Sequence, residues 1–398
     1  MRNSFLENKI PSAPLKIVAM ENIRELGEKV NQYLVSFRKK TNHSFHSDPA
    51  FEGYSMDNFL THFSLTRYGT GEGKAILVDT VRGSDLFIMA DVLNNSLTYP
   101  MRGFENHYSP DDHYQDLKRL IAAADGSAHR ITIVMPFLYE GRQHKRATRE
   151  SLDCAQMLDE LSNMGVQRLI TFDAHDPSVQ NAAPIMGFDN FTPFYQFLQT
   201  LLANIPDLKI DKEHLLVISP DEGAMSRAVY FASVLGIDTG MFYKRRDYST
   251  VINGKNPIVA HEFLGDNVSD KDVIIVDDMI SSGGSMLDTA QKLKDMGANR
   301  VLVCCTYGIF TDGMSAFDEA YEAGTITKVI TTNLCYRPTE LLGKPYYIEA
   351  DMSKFLATII DYSNHDASIG QVITPTARIR EILTRYNESD ETVSEELE

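Results

Sequence analysis

The sequence lacks the features that mark membrane, disulfide-stabilised and zinc-binding proteins. It has no run of about 18 apolar residues, the length a membrane-spanning helix needs, and its first residues lack the apolar core of a signal peptide. Only four cysteines occur, Cys154, Cys304, Cys305 and Cys335, and no two of them form a CxxC pair. We therefore expect a cytoplasmic protein without a membrane span, whose reduced thiols lie in or near the core.

Positive charge is also scarce. Lys and Arg number 38 against 55 Asp and Glu, which gives a formal net charge of −17. Because phosphate backbones repel such a surface, we expect no general binding of nucleic acid, although a small basic pocket for a phosphorylated ligand remains compatible with this charge. The Walker A pattern GxxxxGK[ST] is absent. A chain of 398 residues is nevertheless long enough to form two domains.

Ten short apolar segments alternate with stretches of helical length, a pattern typical of a parallel sheet covered by helices on both faces. These segments are Leu15–Met20, Asp85–Ala90, Ile131–Met135, Arg168–Phe172, His214–Ser219, Ile237–Tyr243, Asp272–Val276, Arg300–Cys305, Lys328–Thr332 and Pro345–Ile348. Residues 161–170 also resemble residues 293–302, with Gly165 and Gly297 each placed to end a helix before a strand. The match is either a chance similarity or the trace of a duplicated α/β domain with a boundary near residues 185–200.

Two segments interrupt the alternation. Asn94–Gln115 is rich in turn residues and aromatics and has no clean period, and Asp247–Val259 is punctuated by Gly, Asn and Pro. Both are predicted to be insertions, and the second is expected to be mobile.

The segment Val273–Ser285, with the sequence VIIVDDMISSGGS, carries the strongest chemical signal. A buried strand delivers Asp277 and Asp278 to its carboxyl end, where α/β sheets bind ligands. The turn after it consists of Ser281, Ser282, Gly283, Gly284 and Ser285. Such a turn exposes N–H and hydroxyl groups at a helix N-terminus, which suits a phosphate, while the two carboxylates suit ribose hydroxyls and hydrated Mg²⁺. The alternative is an Asp pair that only caps a helix.

This segment resembles the phosphoribosyl-diphosphate loop shared by type I phosphoribosyltransferases and ribose-phosphate diphosphokinases. Further motifs resemble the diphosphokinases specifically. They are RYGTGE at 67–72 with VRGSDLFI at 81–88, MPFLYEGRQHKR at 135–146, TFDAH at 171–175 with Gln180, and SPDEGAMSRA at 219–228 with KRR at 244–246. Each motif is short, but they follow the family's order from about residue 15 to about residue 360. The sequence therefore resembles a divergent member of that family with insertions.

The resemblance implies that the β,γ-diphosphoryl group of ATP passes to the 1-hydroxyl of ribose 5-phosphate, which yields phosphoribosyl diphosphate (PRPP) and AMP. Lys244 and Arg246 would be the catalytic cations, on a loop that closes over the transferring phosphates. The residues implied for ATP binding are Tyr68, Glu72, Arg142 and Gln143. His175 and Asp221 would hold Mg²⁺. The sugar phosphate would be bound by the carboxylate pair at 277–278 and by the turn at 281–285.

The resemblance also implies two type I phosphoribosyltransferase-like domains, each a parallel sheet flanked by helices. The first would span residues 15–190 and carry the ATP motifs, the second would span 191–385 and carry the ribose 5-phosphate loop, and 386–398 would be an acidic tail. Family members assemble into dimers and hexamers, so a homo-oligomer is expected, with residues 68–72 contributed to a neighbour's ATP site. The expected partners are thus ATP, ribose 5-phosphate and further copies of the chain.

Of the positions that depart from the family motifs, three bear most on the function. His144 and Thr70 each stand where the family has Asp, and these changes leave open a non-catalytic member that binds nucleotide and regulates a true synthetase. Ser281 replaces an Asp near the ribose and makes the loop more like that of a phosphoribosyltransferase, so a transfer of the sugar to a nucleobase also stays open. The ATP-type motifs of the N-terminal half argue against that last alternative.

Overall fold

The computed structural model describes residues 6, 9–40, 51–124, 126–246, 258–370 and 376–388. The chain divides into two compact units. The first comprises Met1–Thr192, Asn333–Tyr336 and Asp351–Ile373, and the second comprises Pro193–Thr332, Arg337–Ala350 and Thr374–Glu398. No helix among the described residues has the length and apolar character needed to cross a membrane.

The first unit is built on a parallel sheet of five strands. They are β1 (Leu15–Ala19), β4 (Asp85–Met89), β7 (Arg130–Val134), β8 (Arg168–Phe172) and β9 (Gly187–Phe191), in the spatial order β1-β4-β7-β8-β9. Two separate hairpins pair β2 (Phe63–Arg67) with β3 (Gly73–Leu77) and β5 (Thr98–Met101) with β6 (Phe104–His107). The helices are α1 (Arg24–Lys40), α2 (Pro110–Ala124), α3 (Asp153–Asn163) and α9 (Ser353–Asn364), with 3-10 turns at Glu21–Ile23 and Pro177–Ala182.

Helix α1 has a buried stripe with a period of four residues. Leu26, Val30 and Leu34 are buried along it, and Arg38 continues the stripe with only 1% of its surface exposed. Residues four apart lie on the same helix face, so this face packs inward, and α9 covers it. A buried Arg at the end of an apolar stripe needs partners, and α9 supplies them.

The second unit is built on a sheet of seven strands. They are β10 (Leu215–Ser219), β11 (Asp238–Arg246), β12 (Ile258–Leu264), β13 (Asp272–Ile280), β14 (Val301–Gly308), β15 (Lys328–Thr332) and β16 (Tyr347–Ala350). Their spatial order is β12-β11-β10-β13-β14-β15-β16, and only β12, on the edge, runs antiparallel to its neighbour. The helices are α4 (Phe194–Asn204), α5 (Met225–Leu235), α6 (Gly284–Asp295), α7 (Ser315–Glu322), α8 (Thr339–Leu342) and α10 (Thr376–Glu388).

The second sheet is covered on both faces. Val217 and Ile274 belong to a core that includes residues of α4, α5 and α10. Their neighbours along the strands, Ile218 and Ile275, belong to a second core that includes residues of α6 and α7. Because successive side chains of a strand point to opposite faces, a strand buried on both faces must be apolar throughout, which is the pattern seen in the sequence.

The predicted α/β fold with parallel sheets is confirmed. Each of the ten predicted apolar segments overlaps a strand. The two sheets also share one order of parallel strands, β4-β7-β8-β9 in the first and β10-β13-β14-β15 in the second. Gly165 and Gly297 adopt φ of 87° and 90° after their helices, as predicted for helix ends. These shared features favour the duplicated-domain interpretation of the repeat.

The segment Asn94–Gln115, which shows no clean period in the sequence, has regular structure. It forms the β5–β6 hairpin, turns through Arg102 and Gly103 with positive φ, and then enters α2. Both strands have four residues and are largely exposed, so they lack the apolar alternation that identifies a strand. Of the other insert, 258–259 belong to β12, and 247–257 lie outside the described residues. The acidic tail from 389 onward also lies outside them.

Candidate functional site

The carboxylate pair lies at the carboxyl end of β13 in the second unit. Asp278 is buried, and its backbone N–H donates a hydrogen bond to Asp277 Oδ1 at 2.8 Å. On α5, Arg227 places its Nη2 3.5 Å from Asp278 Oδ2, and both side chains are less than 10% exposed. The prediction assigned no role to Arg227, although it belongs to the motif at 219–228. The predicted pair Asp277 and Asp278 is therefore accompanied by a cation, Arg227, that the sequence analysis did not assign.

Negative charge is crowded at this strand end. Burial and the charge of Asp278 raise the pKa of Asp277 to about 8, and Asp221 contributes in the same direction. A carboxyl group in this setting holds its proton unless a further positive charge approaches. The site is therefore prepared to accept a cation or several hydroxyl donors.

The serine turn connects β13 to α6 and leaves its polar groups accessible. Ser282, Gly284 and Ser285 are exposed, and the N-cap residue of the 12-residue helix, Gly283, makes no side-chain capping hydrogen bond. Gly283 has φ of 84°, and a Cβ there would collide with the ring of Phe317, so only glycine fits. The first N–H groups of a helix have no partner within it, so this turn can bind a phosphate.

Asp221 lies just after β10, the neighbour of β13 in the sheet. Its Oδ1 accepts hydrogen bonds from the backbone N–H of Gly223 at 2.9 Å and of Ala224 at 3.3 Å. These bonds fix the carboxylate at the entry to α5. The carboxyl ends of β10 and β13 thus bring Asp221 into the electrostatic environment of the carboxylate pair, as their parallel pairing requires.

In the first unit, the segment after β7 meets the segment after β8. The His144 ring lies beside that of His175, with 5.4 Å between ring centroids, and His144 Nε2 is 3.4 Å from Asp176 Oδ2. Gln143 donates from Nε2 to the carbonyl oxygen of Ser151 at 2.8 Å. The His144 Nδ1 atom is buried and has no hydrogen-bond partner among the described residues. The two predicted motifs at 135–146 and 171–175 therefore form one polar cluster.

The predicted nucleotide-binding residues Tyr68 and Glu72 lie on the turn between β2 and β3. The turn is closed by hydrogen bonds from Tyr68 N–H to Glu72 O and from Gly71 N–H to Tyr68 O, both at 2.8 Å. Thr70, one of the departures from the family motif, donates from Oγ1 to Glu72 Oε2 at 2.9 Å. Both predicted side chains are exposed. Thr70 thus orients the carboxylate of Glu72, which is predicted to bind ATP.

The predicted site residues form three groups. Within the second unit, Asp221 lies near the segment 277–285. Within the first unit, the ring of His144 lies beside that of His175, and Gln143 precedes His144 in the chain. The exposed Arg142 lies in the same loop as Gln143, whereas Tyr68 and Glu72 lie on their own turn. The backbone of Lys244 and Arg246 forms the last part of β11, and their side chains lie outside the described part of the chain.

The predicted metal ligands remain a prediction. Within the described residues, no three His, Cys, Asp or Glu side chains are grouped as a metal site. His175 belongs to the first unit and Asp221 to the second, so neither unit alone contains both.

Two family models match the chain. The N-terminal domain of ribose phosphate pyrophosphokinase matches residues 15–165, and the phosphoribosyl transferase domain matches residues 189–331. Together these matches span well over half of the chain, and the second includes both Asp221 and the segment at 277–285.

Curated relatives and a solved structure agree with those models. Ribose-phosphate pyrophosphokinase of Corynebacterium efficiens is 30% identical over 284 residues, which is 71% of this chain and 79% of the relative. The enzyme of the same name from Pasteurella multocida is 30% identical over 318 residues, which is 78% of this chain and 90% of the relative. The crystal structure of phosphoribosylpyrophosphate synthetase from Mycobacterium smegmatis matches with a TM-score of 0.69 at 22% identity, covering 89% of this chain and 99% of that one.

Proposed function

Because the chain belongs to the ribose-phosphate pyrophosphokinase family, we infer that it transfers the β,γ-diphosphoryl group of ATP to the 1-hydroxyl of ribose 5-phosphate, giving PRPP and AMP. One observation carries this inference. A single chain joins the N-terminal domain of that family to a phosphoribosyltransferase domain whose carboxylate pair and open serine turn lie together at the end of β13.

We assign the sugar phosphate to the second unit. The turn at 281–285 would bind the 5-phosphate through the N-terminal N–H groups of α6, and Asp277 and Asp278 would accept hydrogen bonds from the ribose hydroxyls. The raised pKa of Asp277 supports this assignment, because hydroxyl donors or a cation would replace the proton that this carboxyl group otherwise retains. Arg227 would hold Asp278 in place during binding.

We assign ATP to the first unit, through Arg142 and Gln143 of one copy and Tyr68 and Glu72 of a neighbouring copy. Diphosphoryl transfer depends on the positioning of two substrates and on positive charge near the transferring group more than on a strong base. Lys244 and Arg246 are proposed to supply that charge. The KRR sequence at the end of β11 supports this role, because β11 pairs with β10, the strand that ends beside Asp221.

We propose Mg²⁺ as the cofactor, with His175 and Asp221 as protein ligands. The Asp221 carboxylate fits Mg²⁺, because this ion prefers oxygen ligands, keeps several waters and is usually bound by one or two protein groups together with substrate phosphates. The crowded carboxylates around Asp221 also favour a divalent cation. When bound with ATP, the ion would neutralise phosphate charge. We also propose that the chain acts in the cytoplasm as a homo-oligomer, either a dimer or a hexamer.

The test is a coupled assay on the purified full-length chain that detects AMP made from ATP. We expect AMP formation that requires both ribose 5-phosphate and Mg²⁺. Well-folded protein that binds ATP but makes no AMP would instead support a regulatory family member. Consumption of PRPP in the presence of a nucleobase would support a phosphoribosyltransferase.

The catalytic assignment is tested by Lys244→Ala. We expect a fall in kcat of roughly a hundredfold or more with little change in the KM for ribose 5-phosphate, because the lost charge acts on the transition state. Lys209→Ala, at an exposed lysine of the same unit, is the matched control and should leave both constants unchanged. A Lys244→Ala enzyme with wild-type turnover would show that the cation assignment is wrong.

A further inference from the structure

The β5–β6 hairpin lies directly against the β2–β3 turn. The backbone N–H of Arg102 donates to Gly69 O at 3.3 Å. Gly71 has φ of 94°, and a Cβ at that position would be only 2.6 Å from the Sδ atom of Met101. The Met101 side chain of the hairpin therefore lies against the backbone of the turn at Gly71, where the positive φ favours glycine.

The hairpin region also encloses the residue that precedes the turn. The Arg67 guanidinium lies over the rings of Tyr99 and Tyr108, 5.0 Å from each centroid. Its Nη2 is 3.0 Å from Asp116 Oδ2 on α2, and its Nη1 donates to Gly71 O at 3.2 Å. Arg67 thus connects the aromatic residues of the hairpin, a buried carboxylate of α2 and the backbone of the turn.

The aromatic cage, defined as Tyr99 and Tyr108, is itself held rigidly. The ring of His113 stacks on Tyr108 with 5.0 Å between centroids, and the two tyrosine rings meet edge to face at 4.9 Å. His113 is fixed in turn by Asn22 and by the carbonyl oxygen of Asn94. The stacking of His113 on Tyr108 and the contact between the two tyrosine rings therefore help to fix the rings beside the Arg67 guanidinium.

The charge of Arg67 is retained in this enclosed place. Its side chain is 7% exposed. Burial works against the charged form, but hydrogen bonding with Tyr108 and the charges of Asp116 and Asp112 outweigh it, so the pKa of Arg67 lies above its ordinary value. The guanidinium therefore stays charged, and its bond to Gly71 O is a charge-assisted one.

The turn needs such support. Among the described strands β2 and β3 pair only with each other, so this hairpin depends on packing against other elements, such as α2 against β3. Yet the turn presents two exposed side chains, Tyr68 and Glu72, whose use as ligands requires a fixed backbone. Binding groups that are held in place before the ligand arrives lose less entropy when it binds.

We propose that the aromatic cage around Arg67, together with the Met101 contact, is a positioning element that preorganises the Tyr68–Glu72 turn for ATP. This inference rests on the proposed function, because it assigns the turn to the nucleotide. It gives the inserted hairpin a role in nucleotide affinity. Arg67, Tyr99, Tyr108 and Met101 are positioning residues, since they act through the turn and need no contact with ATP.

The test compares Tyr99→Leu with Tyr99→Phe in the full-length enzyme. The Leu variant loses the ring face over Arg67, so we expect the KM for ATP to rise about tenfold while the KM for ribose 5-phosphate changes less than about twofold. The Phe variant keeps the ring and loses only the hydroxyl, whose bond to Asp112 is long at 3.5 Å, so it should restore most of the ATP affinity.

Two further variants separate positioning from folding. Met101→Ala removes the contact with Gly71 without touching the cage and should raise the KM for ATP several-fold, because the turn gains freedom. Phe104→Ser changes the hairpin tip, where the side chain is 74% exposed, and should leave both KM values unchanged. If Tyr99→Leu fails to fold, Met101→Ala decides the question.

Equal rises in both KM values, or an unchanged KM for ATP in both Tyr99→Leu and Met101→Ala, would overturn the inference. The affinity for a non-hydrolysable ATP analogue, measured by calorimetry, gives the same comparison without turnover. If the wild-type chain makes no AMP, the proposed reaction fails, but weaker analogue binding by Tyr99→Leu than by Tyr99→Phe would still support the positioning role, and equal binding would refute it.

Discussion

Adjacent residues of the same type have different surroundings at the end of β13. Asp278 is buried and paired with Arg227, whereas the pKa of Asp277 is raised by desolvation and by the charges of Asp278 and Asp221. The sequence shows only the dipeptide Asp-Asp, and the difference arises from α5, which begins more than 50 residues earlier in the chain. The raised pKa of Asp277 makes its protonation a measurable property of the folded protein.

The pH dependence of stability tests this arrangement. Because the pKa of Asp277 is raised from about 4 in the unfolded chain to about 8 in the folded one, the folded state binds more protons between these pH values. The stabilising contribution of this group is therefore complete below about pH 4 and is lost as the pH rises toward 8. We expect Asp277→Asn to remove this loss, so that its unfolding free energy falls less than that of the wild type between pH 6.5 and about 8.5.

The measurement is urea unfolding at several pH values in buffer without divalent cations. Asp266→Asn, at an exposed position of the same unit, is the control and should follow the wild-type curve. Parallel curves for the wild type and Asp277→Asn would show that Asp277 does not hold a proton in this range.

At the scale of elements, α1 and α9 are joined by one buried cation. Arg38 Nη2 is 3.1 Å from Asp361 Oδ1 and donates to Asn364 Oδ1 at 2.7 Å, while its guanidinium lies over the rings of Tyr54 and Phe59. The period-four pattern of α1 predicts which face is buried. It does not reveal the partner helix, because α9 lies more than 300 residues later in the chain.

Replacement of this cation should weaken the helix pair strongly. Arg38→Ala leaves Asp361 as a buried charge without its cation, and such a change costs about 3–5 kcal/mol of unfolding free energy. The neighbouring Lys39→Ala removes an exposed ion pair with Asp57 and should have little effect, since exposed pairs contribute little. Chemical denaturation of both variants checks the contrast, and a similar, small loss in both would contradict it.

At the scale of the whole molecule, the first unit is discontinuous in sequence. It includes residues 351–373, which follow most of the second unit, and α9 in this stretch covers the buried face of α1. The prediction placed a boundary near residue 190 and assigned all of 191–385 to the second domain, because sequence motifs follow chain order. The return of residues 351–373 to the first unit depends on the packing of distant segments, which motif order does not reveal.

A fragment ending at residue 192 should therefore fail to fold. It contains all five strands of the first sheet but lacks α9, so the apolar stripe of α1 and the charge of Arg38 would be exposed or unpaired. We expect weak near-ultraviolet circular dichroism and no cooperative thermal transition for residues 1–192, in contrast with the full chain. A cooperative transition near that of the full chain would show that α9 is dispensable for this unit.

The sequence by itself determined the buried strands and the main chemical motifs of this protein. A strand covered on both faces must be apolar throughout, and a phosphate-binding turn needs glycine and small hydroxyl residues in a fixed order, so both are visible in local sequence. Only the tertiary structure decided the partners: Arg227 beside Asp278, His144 beside His175, α9 against α1, and the hairpin around Arg67. These contacts join residues that are distant in the chain, and their energies depend on geometry and burial, which no local pattern encodes.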